Sequence, residues 1–240
     1  MKTNLPALLV PLLLLACGAC SSMEEFRKPQ PDAEPVKLLE AKLGEIRAAS
    51  PDFDNLGLWE DSYEIPDHLR AEVRQLALSF PRNPRVLFVN ALLAYQAGEK
   101  ERAQEYLDSL FHFQAAFAPA AVLRARIALD DGNLSLADRV LAHQITLLPG
   151  EAELREVYAG ILFLEGHLES AQENLTVAVN LGAPFWRVSY LRGLLSEHQG
   201  ERENATRYYE KALDSRPGFL PAVSRLAALK AGAPLSLSKE

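Results

Sequence analysis

Residues 84–112 read PRVLFVNALLAYQAGEKERAQEYLDSLFH: an apolar run, a Gly followed by an acid, and a second run in which apolar residues recur at helical spacing. The hinge is Gly98. It returns as Gly132, Gly166 and Gly200, each 34 residues after the last. Five residues after each Gly stands an Ala (Ala103, Ala137, Ala171, Ala205), and seven before it another small residue (Ala91, Ala125, Ala159, Gly193). A fixed period of this length marks a stack of repeated supersecondary units. Gly suits a helix end, because it enters the left-handed conformation without a steric penalty. The small residues have another cause. Two helices cross closely only where no side chain holds them apart, so a Leu at Ala91 or Ala103 would overpack the crossing by about 1–3 kcal/mol.

With large apolar residues four beyond each Ala (Leu107, Leu141, Leu175, Tyr209) and Pro149 and Pro217 closing two units, the pattern resembles the tetratricopeptide repeat family. The resemblance covers roughly residues 84–217. It implies an all-α fold: a right-handed superhelical solenoid of antiparallel helix pairs, with four full repeats, a degenerate N-terminal pair and a C-terminal capping helix. The chain departs from the family early in the first helices, where a large residue is usual and Leu87, Ala121, Arg155 and Ser189 stand instead. An ordinary helical bundle is the competing architecture, and four Gly–Ala pairs in one register speak against it.

The chain has 240 residues, 48% of them hydrophobic, and a formal charge of −7. The charges are mixed along the helices, without the basic stripe that nucleic acid requires. The two cysteines, Cys17 and Cys20, both precede the repeats, so thiolate zinc sites and a disulfide framework are excluded for the folded body.

Residues 1–20 read as an export signal: Lys2, then an apolar run from Leu5 to Ala16, too short for a bilayer span of about 20 residues. Small residues before a Cys resemble the bacterial lipoprotein signal. Cys17 is preferred as the lipidated residue, with Cys20, preceded by Gly18-Ala19, as the alternative; a cleaved signal with incidental cysteines competes with both. No Asp follows either Cys, which in that resemblance implies the outer membrane, facing the periplasm. Residues 21–35, with three Pro, are expected to be a flexible tether, 36–231 the solenoid and 232–240 a loose tail.

Val36, Leu39, Leu43 and Ile46 predict a helix over 36–49; Leu69, Val73, Leu76 and Phe80 predict another over 66–80, and the two are expected to pair. Residues 51–65 are aperiodic, and could fill the groove described next. A last helix, 219–230, is expected to turn Val223, Leu226 and Leu229 to the stack, with Arg225 and Lys230 toward water as a polar cap.

No catalytic or cofactor pattern appears: no phosphate-cradling Gly loop, no Gly-x-Ser-x-Gly, no His-Glu-x-x-His, and five His without metal spacing. No cofactor, metal or small-molecule substrate is expected. In tetratricopeptide stacks the first helices line the concave side. Carried over, the partner-binding groove would comprise Arg85, Phe88, Leu92 and Tyr95; Val122, Arg126 and Leu129; Glu156 and Phe163, with Glu153 and Gly160; and Arg187, Tyr190 and Leu194, with Glu197 and His198. Phe88, Tyr95 and Phe163 have a second reading as packing between repeats. The lining lacks the Lys and Asn of the family's carboxylate clamp, so an amphipathic helix or apolar peptide suits it better. The expected function is a non-catalytic protein–protein scaffold, a lipid-anchored outer-membrane lipoprotein with a pilotin-like or envelope-biogenesis role. The alternative is an enzyme, or enzyme activator, acting on peptidoglycan.

Overall fold

The computed structural model of the chain describes residues 33–49 and 65–232, and all of its regular structure there is helical. In order these are α1 (Ala33–Ala49), α2 (Asp67–Ser79), α3 (Pro84–Gln96), α4 (Lys100–Phe113), α5 (Ala118–Asp130), α6 (Leu134–Leu147), α7 (Ala152–Leu164), α8 (Leu168–Asn180), α9 (Phe185–His198), α10 (Arg202–Ser215) and α11 (Leu220–Lys230). The right-handed superhelical solenoid of helix pairs forms as expected. The pairs are α3–α4, α5–α6, α7–α8 and α9–α10.

Each pair folds back for the same local reason. Gly98, Gly132, Gly166 and Gly200 have φ between 70 and 83°. At the first, the Gly98 N–H bonds to the Tyr95 carbonyl and the Glu99 N–H to the Ala94 carbonyl, both at 2.9 Å. This two-bond closure satisfies carbonyls that the helix end would leave orphaned, and it recurs at the other three. Asn83 and Asn133 then cap α3 and α6 with their side-chain oxygens.

Packing follows the ladders. The eight small residues at the hairpin crossings are all buried, as are Leu107, Leu141, Leu175 and Tyr209. First helices touch the first helices of the neighbouring repeats (α3–α5, α5–α7, α7–α9), and each second helix touches the first helix that follows. The first helices therefore form the inner layer of the superhelix. Gln144 ties one joint: its Nε2 donates to the Ala115 carbonyl at 2.7 Å and its Oε1 accepts from the Phe117 N–H at 3.2 Å.

At the N-terminal end α1 packs on α2 and α3, burying Leu39, Leu43 and Ile46 against Leu69 and Val73, and Lys42 pairs with Glu72. The helix begins three residues earlier than expected, so residues 33–35 belong to it rather than to a tether. Pro35 is tolerated because first-turn N–H groups have no helical partner. The expectations for residues 1–32, 50–64 and 233–240 lie outside the described residues.

The C-terminal helix departs from expectation on both faces. Arg225 turns inward, onto Glu197, and Val223 points outward, 43% exposed. The inward face of α11 is Ala222, Leu229 and the half-buried Leu226. The outer face, expected to be polar, carries Leu220 and Val223.

Candidate functional site

The residues expected to line a groove divide by burial. Phe88, Leu92, Val122, Glu156, Phe163, Tyr190 and Leu194 are buried, as is Glu197. Phe88 packs on the ring of Phe117 at 5.6 Å, and Tyr190 sits against Tyr209 and Phe219. These side chains are core between repeats, not contact surface. Arg85, Tyr95, Arg126, Leu129, Glu153, Gly160, Arg187 and His198 remain wholly or partly accessible.

The accessible residues are joined across repeats at one repeat's offset. The Tyr95 hydroxyl donates to Asp130 at 2.6 Å, and the Arg126 guanidinium lies over the Tyr95 ring at 5.3 Å. Burial, with Asp130 alongside, pushes the Tyr95 phenol up to about 12. Further along, the Phe163 ring meets His198 edge-on at 5.7 Å, and Arg187 lies between two carboxylates of the preceding repeat, Glu153 and Glu156. Arg85 reaches back to Glu40 on α1 at 3.1 Å.

Glu156 is the unusual group. It is 1% exposed; Arg187 Nε lies 2.9 Å from its Oε1 without the alignment of a hydrogen bond, and its Oε2 has no hydrogen-bond partner. Burial pushes this carboxyl up to about 7, Glu153 adding to the effect and Arg187 opposing it. Burial raises Glu153 as well, against the pull of Arg187.

Two residues of this layer escaped sequence reasoning. Asp130 and Leu164 occupy the place filled by Gln96 and His198 in the flanking repeats, and Leu164 is 47% exposed. The 34-residue offset from His198 would have found both. Between them the wall dips at Gly160, where Leu92, Arg126 and Leu194 stand in the other repeats; nothing comes closer than 4.0 Å to where its Cβ would be. The middle of the inner face thus offers Arg126, Leu129, Asp130, Gly160 and Leu164: an apolar floor with one charge of each sign.

Among the described residues no three His, Cys, Asp or Glu side chains cluster to hold a metal, and no helix is long and apolar enough to cross a membrane. No family model matches this sequence, nor does any curated protein. Solved structures do match. A tetratricopeptide repeat protein from Parabacteroides merdae aligns with TM-score 0.60 and 18% identity, over 88% of this chain and 89% of that one. PilF of Pseudomonas aeruginosa aligns with TM-score 0.53 and 19% identity, over 68% and 74%. YrrB, described as a tetratricopeptide repeat protein with an unusual peptide-binding site, aligns with TM-score 0.50 and 14% identity, over 81% and 98%. At these identities the likeness is one of fold: a tetratricopeptide-type solenoid.

Proposed function

We propose that this chain is a non-catalytic protein–protein interaction scaffold that holds an amphipathic helix or apolar peptide against the middle of its inner face. The observation that carries the reading is the accessible row Arg126, Leu129, Gly160 and Leu164, set between the buried aromatic residues of the flanking repeats. The dip at Gly160 admits a side chain, Leu129 and Leu164 provide apolar contact, and Arg126 with Asp130 fixes polarity. The peptide-binding site of YrrB supports this use of the fold, and the likeness to PilF is compatible with a pilotin-like or envelope-biogenesis role. Cys17, or Cys20 in its place, would carry the lipid that ties the scaffold to the outer membrane, facing the periplasm; several acyl chains hold at roughly 0.8 kcal/mol per buried CH₂.

The test is capture of partners from a bacterial envelope extract by residues 24–240. Arg126→Glu and Leu129→Asp should abolish capture while helicity is unchanged; capture that survives both removes the groove from the proposal. Cys17→Ser should release the full chain from membranes. Release by Cys20→Ser alone would move the lipid to Cys20, and release by neither would remove the anchor.

A further inference from the structure

The small-residue ladder has a fifth rung. Ala227 on α11 lies 34 residues after Gly193, and Gly232, two residues sooner than the period would place it, follows the helix with φ 78°, its N–H bonded to the Leu229 carbonyl as at the four internal turns. α11 thus keeps the register of a first helix, burying Ala222 and Leu229 one period after the buried Val188 and Leu195, and ends two residues early. In the four complete repeats the crossing residue is buried beneath its second helix: Ala91, Ala125, Ala159 and Gly193. Ala227 is exposed, with Val223 and Leu220 beside it at 43% and 73%.

We propose that this face of α11 docks an amphipathic helix of a partner protein, which completes the fifth hairpin. The four covered hairpins specify its chemistry. Each second helix brings an Ala to the crossing and a large apolar residue four positions later: Ala103 and Leu107, Ala137 and Leu141, Ala171 and Leu175, Ala205 and Tyr209. The docked helix carries the same Ala-x-x-x-Leu pattern and runs antiparallel to α11. Ala227 receives its Ala, and Val223 and Leu220 receive the apolar residues one and two turns further on. Lys230, exposed where the other first helices bury Ala94, Ala128, Leu162 and Ser196, selects an acidic residue near the start of the incoming helix. This face lies apart from the inner groove and does not depend on it.

The probe is a labelled peptide of residues 168–180, which carries the pattern and Glu169 near its start, titrated with the full chain by fluorescence anisotropy. Saturable binding is expected. Ala227→Glu and Val223→Asp, at exposed positions that leave the fold intact, should each weaken it tenfold or more, whereas Arg126→Glu in the groove should not change it. A peptide carrying Ala171→Glu should not bind. Absence of saturable binding, or equal binding by the Ala227→Glu chain, overturns the proposal. So does self-association that Ala227→Glu abolishes, which would make a second copy the occupant. Binding seen only after removal of residues 233–240 overturns it too, in favour of the chain's own tail.

Discussion

Gly193 lies directly beneath the ring of Tyr209: a Cβ on Gly193 would come within 2.4 Å of Tyr209 Cε1 and 2.6 Å of Cδ1. The other three hairpins pair Ala with Leu at the same two places, and the fourth has exchanged both, making room for the ring by removing a methyl. Tyr209 uses that room to bring its hydroxyl to Glu197 Oε2 at 2.7 Å, inside the core.

Gly193→Ala should therefore cost about 1–3 kcal/mol, the range for overpacking. The cost should vanish when the same change is made in a Tyr209→Leu background, which recreates the Ala–Leu pair of the other repeats. Urea unfolding of the two single variants and the double variant measures the coupling. Equal costs of Gly193→Ala in both backgrounds would show that the contact is not tight.

Glu197 and Arg225 hold the last helix. Arg225 Nε is 3.1 Å from Glu197 Oε2, and its Nη2 bonds to Oε1. Truncating Arg225 to Ala should cost about 3–5 kcal/mol, since it leaves a buried carboxylate without its counter-charge. Replacing both partners with Leu should recover most of that loss, because Val89, Leu123, Val157 and Leu191 fill the place of Arg225 in the other first helices. Equilibrium unfolding of both variants decides the matter.

Glu156 should make stability depend on pH between about 4.5 and 7. The folded chain holds its proton up to about 7, against an ordinary value of 4.5. Below 4.5 both folded and unfolded chains are protonated and nothing is lost. As pH rises toward 7 the unfolded chain releases the proton first, so stability falls, by up to about 3 kcal/mol, and then levels. Glu156→Gln should flatten that slope in melting temperatures taken from pH 4.5 to 8. An unchanged slope would assign it to other groups.

Gly98→Ala isolates backbone strain. Nothing lies within 4 Å of where its Cβ would stand, yet φ is 77°. The loss should be about 1–2 kcal/mol, the cost of the left-handed conformation for an L-residue, with Gly98→Asn losing less. A loss near zero in thermal unfolding would mean that the turn relaxes.

The repeats were legible because each rung of the ladder has a steric cause that recurs four times. The places where reading failed are those where a rung is exchanged. Arg225 looked like a surface residue because cations usually are; its position, one period after Leu191, is a core position, and only the partner Glu197 explains its burial. The groove residues were assigned by helix position alone, which marks the side of the helix facing the inner layer but does not separate the part a neighbouring repeat covers. Phe88, Phe163 and Tyr190 are large enough to reach the next repeat and are covered by it. Arg126 and Leu129 stay accessible beside the dip at Gly160.

The contact between Tyr95 and Asp130 spans 35 residues, and the substantial helix contacts join helices no more than two apart in order. Contacts this close along the chain carry a low loop-closure cost. Because each hairpin touches only its neighbours, folding can begin in any one of them and spread outward, each formed hairpin serving as the template for the next.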